Sequence, residues 1–273
     1  MSFQPVVPIG GFAGWRFLER TLDRQEASHA RNPAAMRDEA HFRANIGTVG
    51  SAAELVADRR LLRVALTAFG LSEDLPNRAF IQKVLESDTG DRRSFVNRLS
   101  DKRYLELARG FGFGDGPVPR TKASGTVESI LLRARETRFE EAVGAQDESM
   151  RLALALQRDL GRVASQAGSD AAGWYTVLGT PSLRSVFETA FGLPREFAGL
   201  DLDRQVDILR QRVERLTGDG GIAQFTRAEP MDRLIRRFFV GAQLAELQQV
   251  TPGSAALTLL QAIPPMRARA IRP

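Results

Sequence analysis

Cysteine is absent from the 273 residues, and histidine occurs only as His29 and His41. Without thiols, the chain has no disulfides, zinc–thiolate sites, iron–sulfur clusters or thiol catalysis. Two histidines cannot furnish a multi-histidine metal centre within one chain. No apolar run approaches the roughly eighteen residues that a membrane span needs, so no membrane insertion is expected. The opening MSFQPVVPIGGFAGWRF lacks a basic stretch followed by a continuous apolar core, and does not read as a secretory signal. Gly-Lys pairs, G-x-S-x-G and S-x-x-K are all missing. That removes a P-loop and the commonest serine nucleophile signatures.

Lysine is scarce as well. Lys83, Lys102 and Lys122 are the only three, which leaves 35 arginines among the 38 basic residues. A net charge of +5 and a pI of about 10.3 suggest nucleic acid at first sight. The 33 carboxylates, however, are interleaved with the arginines, as on solvated and paired helix faces. The basic clusters Arg59-Arg60-Arg63, Arg98-Lys102-Arg103, Arg236-Arg237 and the tail Arg267, Arg269, Arg272 lie in no recognisable helix-turn-helix. Aromatic residues do not interleave with them as stacking platforms would.

What is present is helical periodicity. The prolines and glycines of residues 1–14 predict an extended N-terminal arm. From Trp15 the stripe Trp15, Leu18, Leu22 begins a helix that Asn32-Pro33 breaks, and a second follows with Met36, Ala40 and Ile46. Ser51 to Glu54 has capping-box spacing. Asp58 is placed to cap a helix carrying Leu62, Ala65, Leu66 and Phe69, which Gly70 stops. Pro76-Asn77 opens another through Phe80 to Leu85, with short helices near 95–99 and 104–108. Beyond residue 125 come a long helix ending near Gly144, a densely apolar one started by Asp147, and a short one around Trp174. Thr180-Pro181 sets a cap residue before proline at the first helical position. Further helices carry Val206 to Leu216 and Leu234 to Phe239, and a last one spans about 254–263. With almost no period-two alternation, the chain is predicted to be all-α, a multi-helix globular protein without significant sheet.

Glycine and proline dominate residues 110–125, GFGFGDGPVPRTKASG. The expected organisation is the arm 1–14, a first helical unit 15–109, a linker 110–125, a second unit 126–264 and a basic C-terminal tail 265–273. The two units look related. LRVALTAFGL at 62–71 and RSVFETAFGL at 184–193 align at an offset of 122, along which Leu61, Val64 and Thr67 to Leu71 recur as Leu183, Val186 and Thr189 to Leu193.

The search for chemistry yields no catalytic, cofactor-binding or metal-ligating residues. In the glycine-rich stretch, Gly112-x-Gly114 is followed by Pro117 where a dinucleotide fingerprint needs glycine. Asp201-x-Asp203 lacks the further oxygen ligand and glycine of a calcium loop, and reads as helix capping. His29 and His41 fall on different helices. Glu140-Glu141 near Arg138 reads as a surface charge pair.

Four ordered segments, ADRRLLRVALTAFGL, DKRYLELARGFGFGD, RFEEAVGAQDESMRLAL and LRSVFETAFGLP, resemble an alphaproteobacterial domain-of-unknown-function family, number 1217. Its members tend to be encoded beside flagellar genes. The resemblance implies an all-helical protein connected with the flagellum, with other proteins, flagellar components among them, as partners. It carries over no site residues. Either a cytoplasmic assembly factor or a substrate of the flagellar export apparatus would suit it. The expected function is therefore a non-enzymatic protein-binding accessory factor. The rivals are a nucleic-acid-binding regulator using Arg-rich helix faces, and an enzyme of unfamiliar type. One continuous basic face would favour the first rival; a deep pocket holding a strongly shifted Asp, Glu or His would favour the second.

Overall fold

A computed structural model describes residues 3–249. The helix expected over 254–263 and the tail 265–273 lie outside these residues. Among them are twelve α-helices, six short 3₁₀ turns and no strand, so the chain is all-α. The helices are α1 (Gly11–His29), α2 (Pro33–Asn45), α3 (Ala52–Ala57), α4 (Arg59–Ala68), α5 (Arg78–Leu85) and α6 (Arg103–Phe111). They continue as α7 (Ser124–Gly144), α8 (Glu148–Gln166), α9 (Asp170–Leu178), α10 (Pro181–Phe191), α11 (Leu202–Thr217) and α12 (Ala228–Gln249).

Local chemistry sets most boundaries. Asn32 caps α2 through Ala34 N–H, ahead of Pro33 at the first position. The Ser51 hydroxyl accepts from Glu54 N–H, while the Glu54 carboxylate reaches back to Gly50 N–H at 2.8 Å, one residue earlier than in a strict capping box. Asp58 caps α4 through Arg60 and Leu61 N–H, and Asp147 caps α8 through Met150 N–H. Thr180 departs from expectation. Its hydroxyl donates backward to Thr176 C=O at 2.8 Å, so α10 begins with no side-chain cap.

The repeated segments end alike. Gly70 (φ +67°) and Gly192 (φ +56°) are both left-handed. Leu71 N–H bonds Leu66 C=O and Leu193 N–H bonds Glu188 C=O, each at 2.9 Å, at the same offset of 122 seen in sequence. This is the Schellman closure, in which the residue after glycine satisfies an orphan carbonyl. Phe69 and Phe191 are both buried.

Two hydrophobic clusters result, but they do not divide as 15–109 and 126–264. Trp15 and Leu18 of α1 pack with α8 to α12, not with α2 to α6. The first half of α7 (Val127, Ile130, Leu131, Ala134) joins the cluster of α2 to α6, while Phe139 and Val143 of its second half join the other. At 1.5 Å per residue α7 runs about 30 Å, long enough to belong to both cores. Nor is 110–125 a free connection. Phe111 is buried and stacked on Phe113 at 5.8 Å, and the Thr121 hydroxyl donates to Val49 C=O at 2.8 Å. The arm is similarly tethered: Gln25 accepts from Val6 N–H and donates to Val6 C=O. It gives way to helix at Gly11, four residues before Trp15.

In α2 the apolar stripe misleads. Met36 is exposed, whereas Glu39 is buried and gripped by Arg135 (2.8 Å) and Arg138 of α7. Burial of a carboxylate is tolerable here because two guanidinium groups meet it.

Candidate functional site

Where α7 crosses from one cluster to the other, its apolar side is consumed by packing. Arg133, Glu136 and Glu140 follow at i, i+3 and i+7 on another face, which borders a cavity of about 350 Å³. Opposite stand Arg158, Asp159 and Arg162 of α8. Glu106 of α6 and the start of α10 at Thr180 to Ser182 complete the wall. The cavity thus sits at the polar seam between the two cores.

Arg158 organises the seam. Its Nε and Nη2 donate to the two Asp159 oxygens at 3.0 Å each, and Nη1 donates to Glu140 Oε1 at 2.6 Å. The Thr137 hydroxyl lies 3.3 Å from the same Nη1. Arg162 pairs with Glu106, and is 3.5 Å from Asp159. Burial opposes ionisation of Asp159, but the charge and fork of Arg158 outweigh it and hold this carboxyl below the usual range. Glu140, 7% exposed, receives only the third arm of Arg158, and burial pushes it up to about 8. Burial likewise weakens the hold of Arg133 on its proton, with Arg162 adding to the effect. It raises Glu136 too, and Glu26 across from it on α1, where the Glu136 charge contributes.

Glu140 is therefore no surface charge pair. Arg138, its expected companion, turns instead to Glu39, and Glu141 accepts from the Ser72 hydroxyl at 2.9 Å. A signal for the seam was available in sequence: Arg158-Asp159 lies between Leu156 and Leu160, on a helix apolar enough to be buried on more than one side. The remaining candidates are dispersed. His29 packs edge-on against Phe139, and burial lowers its pKa. His41 lies 2.7 Å from Asp58. Asp201 caps α11, while Asp203 accepts from the Tyr175 hydroxyl. Gly112 is the left-handed stop of α6. Among the described residues no group of three or more His, Asp or Glu is placed to hold a metal ion.

A second feature lies at the far end of α12. Its core stripe is Met231, Leu234, Ile235, Phe238 and Phe239, all buried. Val240, Leu244 and Leu247 are 41%, 50% and 70% exposed. At about 100° per residue they lie roughly 180–240° around the helix from Phe238, on the opposite side. From Gln243 to Leu247 every residue is exposed, so this end stands clear of both cores. No helix among the described residues is long and apolar enough to cross a membrane.

Comparison with known proteins agrees with this architecture. A family model described as "Protein of unknown function (DUF1217)" matches residues 68–229. A protein of Agrobacterium tumefaciens, solved by X-ray crystallography as a structural-genomics target, superposes with a TM-score of 0.72. It is 24% identical, and the match covers 89% of this chain and 99% of that one. No curated protein matches.

Proposed function

The chain belongs to the DUF1217 family of proteins of unknown function, and from that premise we propose that it is a non-enzymatic accessory protein that binds an amphipathic helix of a partner. The observation that carries this reading is the second apolar stripe of α12. Three large side chains at i, i+4 and i+7, on the face away from the core, have the spacing of helix-in-groove and coiled-coil recognition. A lone exposed leucine needs no explanation, but a periodic set on a projecting helix end does. The direction toward the flagellum comes from the four sequence segments that resemble a family encoded beside flagellar genes.

Ion pairing favours protein over nucleic acid as the partner. Arg60 and Arg63 share Asp38, Arg103 is held by Asp101, and Arg236 lies over the Phe12 ring at 4.9 Å. These guanidinium groups are already engaged, whereas a phosphate-binding face keeps them available. An enzymatic reading draws on one observation, the raised Glu140 beside a cavity. That carboxyl is already bonded to Arg158 across the seam, an arrangement that serves the fold. The test is a deletion strain together with capture of partners by the tagged full chain from motile cells. We expect altered swimming, an altered set of flagellar parts and unchanged general metabolism. Normal motility with intact flagella would remove the flagellar reading.

A further inference from the structure

Most charges lining the seam are matched within the protein. Arg158 serves Asp159 and Glu140, Arg162 serves Glu106, Arg151 serves Glu148, and Arg103 serves Asp101. Two are not. Arg133 makes no hydrogen bond to any described residue. Its one ion pair is with Glu106, at 3.9 Å, a carboxylate that Arg162 also holds. The guanidinium lies instead over the Phe69 ring, 5.3 Å from its centroid. Glu136 has neither a hydrogen bond nor an ion pair among the described residues. The two are half-buried and border the same cavity.

Their failure to meet each other is informative. At i, i+3 spacing their Cβ atoms are about 5–6 Å apart, near enough for a surface helix pair. Yet no Arg133–Glu136 contact falls within ion-pair distance. Arg133 thus keeps only a long ion pair and a ring contact, and Glu136 has no protein partner among the described residues. The uncapped start of α10 opens onto the same cavity, leaving its first N–H groups without a side-chain acceptor. The cavity, about 350 Å³ in volume, suits a small metabolite, and Arg133 and Glu136 border it about one helical turn apart.

We propose that this seam binds a small zwitterion of the α-amino-acid class, its carboxylate forked by Arg133 and its ammonium donating to Glu136. A guanidinium fork matches a carboxylate in plane and spacing. The ammonium supplies donors to a carboxyl that has none. Neither contact disturbs the Arg158 network, so the site adds to the fold instead of competing with it.

Calorimetric titration of the full chain with each of the common L-amino acids tests this, with acetate, methylammonium and inorganic phosphate as single-charge controls. At least one amino acid should bind saturably and the controls should not. Arg133→Met and Glu136→Gln should each weaken that binding by about tenfold or more. Thermal midpoints monitor the fold. Should Arg133→Met fail to fold, Arg133→Lys keeps the charge and removes the fork, and should weaken binding in the same direction. Absence of saturable heat for every amino acid would overturn the proposal. So would acetate or phosphate binding as tightly as the amino acids, or affinity unchanged in Glu136→Gln.

Discussion

Replacing Glu140 by glutamine isolates the energetics of the seam. In the unfolded chain this carboxyl ionises near its ordinary value of 4.5, and in the folded protein near 8. Between those pH values the folded state keeps a proton that the unfolded chain has released. Its contribution to stability is therefore fully present below about 4.5 and is lost as pH rises through about 8. At about 1.4 kcal/mol per pH unit, the loss is on the order of 3 kcal/mol at neutral pH and about 5 kcal/mol once ionisation is complete. Glutamine retains a carbonyl oxygen for Arg158 Nη1, which donates to Glu140 at 2.6 Å, but it cannot ionise. Urea unfolding of both proteins across the range from about pH 5 to about pH 9 measures the difference. Glu26, also raised, and His29, lowered, are common to both, whereas Glu136, whose charge adds to the rise of Glu140, responds in part to the substitution. The variant should match the parent in acid and become progressively the more stable of the two as pH rises. A difference independent of pH, or one that shrinks toward alkaline pH, would refute the assignment of burial as the dominant effect on Glu140.

Other substitutions probe the helix ends and crossings. Gly70→Ala and Gly192→Ala each place a side chain at positive φ, and each should cost about 1 kcal/mol in denaturant unfolding. Similar costs at the two positions would support the equivalence of the repeated segments. Gly241→Ala lies inside α12, where helix propensity alone would favour alanine by up to about 1 kcal/mol. Its added methyl would be driven into the Thr189 carbonyl oxygen of α10, so unfolding should instead show a loss of about 1–3 kcal/mol. A stabilised Gly241→Ala would mean that α10 and α12 do not cross as closely as described.

The parts of the fold legible in sequence are those determined by neighbours along the chain. Asp58 and Asp147 cap where their positions before apolar stripes predict, and the TAFGL runs close both repeated helices around a left-handed glycine. Residues whose role depends on what lies across from them were not legible. Glu140 has the spacing of a surface residue, and only the approach of Arg158 from α8 makes it a buried one. Trp15 belongs to a core built from helices more than a hundred residues away, because α1 lies on α12 with Trp15 against Phe239. Thr180 has the right type and position for a cap, but its hydroxyl is directed back to the Thr176 carbonyl of the preceding helix. The seam itself arises from α7 serving two cores, a consequence of tertiary packing that periodicity along one helix does not reveal.

The outer stripe of α12 is the most direct test of the functional account. Leu244→Glu with Leu247→Glu places two charges on side chains that are 50% and 70% exposed, where the fold should tolerate them within about 0.5 kcal/mol. The double variant, expressed in place of the natural chain, should be compared with it by cross-linking and partner capture from motile cells. The account predicts an unchanged unfolding midpoint, loss of the captured partner and the swimming phenotype of the deletion strain. Full partner recovery and normal swimming by a correctly folded double variant would contradict it.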